Sequence, residues 1–121
     1  MIKSIVVIGM ICTVMFSGCN SKPETADEVA VEICEMYSDG NLEKIIEHAS
    51  NYGVTKLSAL TGEMKKRVIK DFQKQVKDVD CSTVKSAKGR RDNRFNIVKD
   101  NFKLRRSFTF NPTDKSYIIN Y

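Results

Sequence analysis

One histidine, two prolines and no tryptophan in 121 residues leave little material for several kinds of site. With His48 as the single histidine and no Cys-x-x-Cys pair, the chain lacks the ligand sets that hold zinc, and no metal or cofactor is expected. The longest apolar run, Ile5 to Phe16, is 12 residues, against the roughly 20 that a membrane-spanning helix needs. No segment repeats, which excludes stacked-repeat architectures. No spacing of nucleophile, base and acid stands out, so no catalytic residue is assigned.

What is present begins at the first residues. Lys3 precedes the apolar run, and Ser17-Gly18-Cys19 follows it. A positive charge, a short greasy stretch and small residues, in that order, form an export signal, here residues 1–18. The small residues leading into Cys19 resemble the lipobox of bacterial lipoproteins. The resemblance implies that the Cys19 thiol carries a diacylglyceryl group and that Cys19 is the first mature residue. Acyl chains at about 0.8 kcal/mol per buried CH2 then hold the protein at a bilayer. Asn20 after that cysteine implies, in enteric-type bacteria, an outer-membrane location facing the periplasm. Residues 19–23 read as a short tether and 24–121 as one domain.

Removing 18 residues leaves 103 of the 121, enough for one small domain that buries about 60–70% of its unfolded surface. Cys12 leaves with the signal and Cys19 takes lipid. Cys34 and Cys81 remain in an oxidising compartment, where they are expected to form a disulfide across a separation of 47; the alternative is two buried free thiols. Lys3 departs too, so the net charge falls from +5 to +4. Eight acids, from Glu24 to Glu47, face only Lys44, whereas residues 65–106 carry fifteen Lys or Arg against five Asp. Two such surfaces suit each other or an anionic partner. In an exported chain that partner is a lipid headgroup or an acidic protein, not nucleic acid.

Thr25-Ala26-Asp27-Glu28 fits a capping box. Ala26, Val29, Ala30, Ile33 and Tyr37 then keep helical spacing, with Cys34 on the flank, until Asp39-Gly40 stops the helix. Asn41 caps a short second helix, which Asn51-Tyr52-Gly53 breaks. A third, longer segment carries Leu57, Leu60, Met64, Val68, Phe72 and Val76 on one face; Gly62 weakens its middle, where Thr61 offers a cap for a restart. Beyond Asp78 the period changes to two. Val79, Cys81 and Thr83 predict a strand; 94–99 predicts a second; Phe102 to Phe110 predicts the clearest one; Tyr117 to Tyr121 predicts a last. The fold class is α+β: N-terminal helices packed on a curved antiparallel sheet of three to four strands.

Residues 23–49, an apolar-striped helix, the turn Ser38-Asp39-Gly40-Asn41 and a second short helix, resemble the opening of small bacterial lipoproteins in the nuclear transport factor 2-like superfamily. The order of elements agrees over nearly all mature residues. The resemblance implies a cone-shaped α+β domain, in which an inner sheet face lines a pocket and an outer face often dimerises. It implies a fold more than an activity.

Strict alternation places Arg106 on the face of Leu104 and Phe108, where a guanidinium needs an acid or an anionic ligand. A β-bulge at Arg105-Arg106 instead turns both outward. Lys88, Arg90, Arg91 and Arg94 form a basic turn, either a solvated hairpin or a grip for phosphates and headgroups. His48 reads as solvated. Tyr117 and Tyr121 read as core or rim. Asp80 and Asp100 lie near strand ends. The expected function is a non-enzymatic, membrane-anchored envelope lipoprotein that binds a partner protein or small ligand. Two alternatives are an exclusion or immunity lipoprotein of a phage or plasmid and a small pocket enzyme of the cone-shaped fold.

Overall fold

The computed structural model describes residues 22–121, so Cys19 and the signal segment lie outside the described residues. Four helices come first: α1 (Ala26–Asp39), α2 (Leu42–His48), α3 (Asn51–Ser58) and α4 (Gly62–Gln75). A five-stranded antiparallel sheet follows, built from β1 (Lys85–Lys88), β2 (Arg94–Lys99), β3 (Phe102–Lys103), β4 (Phe108–Asn111) and β5 (Ser116–Ile119). The α+β class is as expected. The strand count exceeds three to four because the longest expected strand is interrupted.

α1 starts where its cap predicts. Thr25 Oγ1 accepts the Glu28 amide at 3.2 Å, and the Glu28 carboxylate accepts the Glu24 amide at 2.6 Å. The helix ends at Gly40, whose φ of +63° suits a residue without a side chain. The amides of Gly40 and Asn41 return to the carbonyls of Tyr37 and Met36 at 3.1 and 3.0 Å, closing a Schellman motif. A Cβ on Gly40 would also lie 2.7 Å from Ile69 of α4, so this glycine sets both the turn and the approach of two helices. Val29, Ala30, Ile33, Cys34 and Tyr37 are fully buried and form the floor on which the sheet rests.

Two expectations for the helices change. Asn51-Tyr52-Gly53 does not break the helical region but opens α3, after an extended Ala49. Gly53 is there for closeness: its Cβ would meet the Tyr121 ring at 2.7 Å. In most helices Gly→Ala stabilises by about 0.5–1 kcal/mol. Here the ring is held from two further sides, so Gly53→Ala is expected to destabilise by about 1–3 kcal/mol, the overpacking range, measured by urea unfolding. The long third helix is divided at the restart expected there: Thr61 is the N-cap, without a side-chain hydrogen bond, and α4 begins at Gly62 at a φ of +55°. Met64, expected on the apolar stripe, is exposed.

The strand expected at Val79 to Thr83 is a 3-10 turn, Cys81–Thr83. Asp80 Oδ1 takes the Ser82 amide at 3.1 Å and its hydroxyl at 2.6 Å, while the Thr83 hydroxyl donates to the Asp80 carbonyl at 2.6 Å. These local bonds offer the backbone a better alternative than a ladder. The turn delivers Cys81 to α1, where it is bonded to Cys34 with a Cα–Cα distance of 5.5 Å.

The sheet order is β1-β2-β4-β5, with β3 also on β2. Val98 pairs with Lys103 and Phe95 with Phe108, so Asn96 and Ile97 face the four residues Leu104 to Ser107. The segment expected as one strand is thus two, joined by a two-residue bulge at Arg105-Arg106. An insertion of two keeps the alternation in phase, so Leu104, Phe108 and Phe110 all still point into the core. β1 is an edge strand, and Asp27 of α1 covers part of it: its carboxylate accepts the Ser86 amide and hydroxyl at 2.8 and 2.7 Å. Those two bonds hold the Asp27 carboxyl below its ordinary pKa. Beside β5, the Ser50 amide donates to the Ile119 carbonyl at 2.9 Å.

Candidate functional site

The bulge decides where Arg106 goes. Arg106 is half-buried. Its guanidinium carbon sits 4.6 Å from the centre of the Tyr121 ring, a cation–π contact at the edge of the domain. The Tyr121 hydroxyl meets that of Tyr37 at 2.8 Å, and the Tyr37 ring lies 4.8 Å from Phe72. Arg105 points to solvent and approaches Asp71 at 3.9 Å, an exposed pair of little energetic weight. Burial pushes the Tyr37 phenol well above its ordinary pKa, and the neighbouring Tyr121 adds to this. Burial raises Tyr121 as well. Both are neutral hydroxyls near pH 7, each satisfying the other.

A second polar cluster involves residues to which the sequence assigns no role together. The Tyr117 hydroxyl donates to the Glu32 carboxylate, and the His48 ring stacks on Tyr117 with centroids 4.1 Å apart and planes 7° from parallel. His48 is therefore half-covered by an aromatic ring instead of solvated. Burial, then the bond to Glu32, raise the Tyr117 pKa far above its usual value. The cluster ties α1, the end of α2 and β5 together. One signal was available: Glu32 lies three residues after Val29, on the flank of the buried stripe of α1.

The basic turn is a hairpin between β1 and β2. The Gly89 amide reaches the Arg94 carbonyl at 2.8 Å, the Arg94 amide reaches the Arg91 carbonyl at 3.2 Å, and Asn93 turns the chain with a φ of +62°. Lys88, Arg90 and Arg91 are exposed, and Arg94 is half-buried. Among the described residues, the charged side chains of the five strands are all basic: Lys85, Lys88, Arg94, Lys99 and Lys103. Seven acids lie on the other layer, along α1 and α2.

An open groove of about 510 Å³ runs between the end of α1 and the 3-10 turn, lined by Glu35, Asp39, Asp80 and the half-exposed Cys81 among others. The Asp80 carboxyl is held below its ordinary pKa by the Ser82 hydroxyl and amide. Among the described residues no group of three or more His, Cys, Asp or Glu side chains is arranged to hold a metal ion, and no helix is long and apolar enough to cross a membrane. Asp100 sits in the turn from β2 to β3 with a φ of +51°, exposed. The phenols of Tyr37, Tyr117 and Tyr121 are engaged with partners inside the fold, and free charge lies on the surface.

No family model, curated protein or solved structure matches the chain.

Proposed function

We propose that this chain is a membrane-anchored lipoprotein of the bacterial cell envelope, and that its domain works by binding, not by catalysis. The observation that carries the reading is the bond between Cys34 and Cys81. A disulfide between α1 and the 3-10 turn suits a protein matured outside the cytosol. With those two cysteines joined and Cys12 in the export signal, Cys19 is the one thiol left, at the position where lipid is added. The engaged phenols support a binding role, since Tyr37, Tyr117 and Tyr121 serve packing and hydrogen bonding. The separate acidic helices and basic sheet supply two surfaces for contact with an envelope partner or a small anionic ligand. Helices before an antiparallel sheet is the order that the nuclear transport factor 2-like resemblance implies.

Native mass spectrometry of the full-length protein, extracted gently from its own membrane, tests this. The expected mass is that of residues 19–121 plus acyl chains, less the two hydrogens of the disulfide. A chain that retains residues 1–18, or one without acyl mass, defeats the reading.

A further inference from the structure

We propose that the β1–β2 hairpin tip is a second, electrostatic membrane contact, seated on anionic lipid headgroups beside the anchor. The proposal rests on the anchoring at Cys19 and adds how the domain is oriented there.

Strand directions place three things at one end of the sheet. β1 runs into the hairpin at 89–93, and β2 runs away from it. β4 is antiparallel to β2 and passes Arg94 to end at Asn111, so the β4–β5 turn lies beside the hairpin. The Phe110 amide confirms the closeness, donating to the Asn93 carbonyl at 2.9 Å. The start of the domain is fixed to that same turn. Glu24 pairs with Lys115 at 2.6 Å, and the Lys22 ammonium approaches the Asp114 carbonyl at 3.5 Å. Lys22 is three residues after Cys19, and three residues of chain reach about 10 Å at most. The hairpin end is therefore the end held nearest the lipid.

Charge at this end matches the surface it meets. The seven residues from Lys88 to Arg94 hold four cations and one acid, Asp92. Of the nearby acids, Glu24 is paired with Lys115, while Asp27, Glu28 and Asp114 accept neutral donors and keep their charge, so with Asp92 this end holds five acids against the six cations Lys22, Lys88, Arg90, Arg91, Arg94 and Lys115. Arg90 and Arg91 stand exposed at the tip. Fields from such cations fall off within about 10 Å at ordinary salt, so only a tip held close to the bilayer senses its anionic lipids. An acidic partner protein would need no such placement beside the tether.

The absence of tryptophan makes a single reporter clean. Thr113→Trp puts one in the β4–β5 turn without changing charge, and Asn101→Trp puts one in the β2–β3 turn at the far end. Each acylated full-length variant is placed in vesicles of phosphatidylglycerol with brominated phosphatidylcholine, and in vesicles of brominated phosphatidylcholine alone. The expected result is strong quenching of the Thr113→Trp reporter in the anionic vesicles, weaker quenching in the neutral ones, and little for Asn101→Trp in either. Adding Arg90→Gln and Arg91→Gln to the Thr113→Trp chain should lower the tip's occupancy at the bilayer by about 25-fold, fivefold for each cation. The quenching is then lost while the protein stays on the vesicles. An acylated protein whose Thr113→Trp reporter is unquenched, or is quenched regardless of the arginines, overturns the hairpin contact and leaves the anchor standing; the tip is then free for an acidic partner. A chain without acyl groups that separates from the vesicles overturns both.

Discussion

Replacing Cys34 and Cys81 together by alanine is expected to lower the stability of the domain by about 4 kcal/mol. The bond closes a separation of 47 residues, and a loop of that size gives about 4 kcal/mol in the chain-entropy model. Two smaller effects oppose each other. Cys34 is fully buried, so alanine there leaves a small void and adds to the loss. Structure retained in the reduced, unfolded chain subtracts from it. Domains of this size have about 5–15 kcal/mol in total, so the double variant retains about 1–11 kcal/mol. A fall in melting temperature on the order of 20 °C corresponds to this loss. Serine at 34 should be worse than alanine, because a buried hydroxyl without a partner adds its own cost of about 1–3 kcal/mol. Urea midpoints for the oxidised, reduced and alanine forms test the argument. A loss below about 1 kcal/mol would show that the helices and the 3-10 turn hold together without the link.

The disulfide also matters to how the molecule presents itself. α1 carries five acids and no base, and the segment from Val79 to Lys85 leads into the basic sheet. The bond fixes these two surfaces relative to each other at one point, the Glu32–Tyr117–His48 cluster at another, and the Tyr37–Tyr121 pair at a third. Losing the first loosens the junction between helices and sheet before it exposes the centre of the core.

Much of this was legible in the residues, for reasons of period. α1 repeats its apolar positions at helical spacing and buries that stripe. β4 and β5 alternate, and the even positions of one and the odd positions of the other are inside. Asp39-Gly40 stops α1 because a left-handed residue is needed and glycine supplies it. What period could not reveal was tertiary. Gly53 looks like a breaker, yet it is a contact point for a ring 68 residues away in sequence. Cys81 follows a strand-like alternation, yet Asp80 captures the next two residues first. The pairing of Glu32 with Tyr117 joins α1 to β5, and no local pattern marks one residue as the other's partner. The basic hairpin is visible as a charge run; that it lies at the end of the sheet where Lys22 and Glu24 meet the β4–β5 turn follows only from the strand directions and the Glu24–Lys115 pair.

The interruption at Arg105-Arg106 gives the last and sharpest expectation. The pairings on either side of it are related by a shift of two residues. Deleting both arginines should therefore let β3 and β4 fuse, with Leu104 opposite Ile97, Ser107 opposite Asn96 and Phe108 opposite Phe95. Every inward residue stays inward. The losses are the Arg106 contact with the Tyr121 ring, about 0.5–1 kcal/mol, and an exposed ion pair of similar or smaller weight. Deleting Arg105 alone has no such solution. The remaining extra residue either turns Phe108 and Phe110 to solvent, at about 1.5–3 kcal/mol each, or forms a one-residue bulge that brings the remaining arginine toward the face of Leu104. The single deletion is thus expected to cost about 3–6 kcal/mol through the slipped register, and the double deletion no more than about 2. The longer deletion should be the more stable protein, measured by urea unfolding of the two side by side. The reverse order would mean that the two arginines hold the strands in register instead of interrupting them.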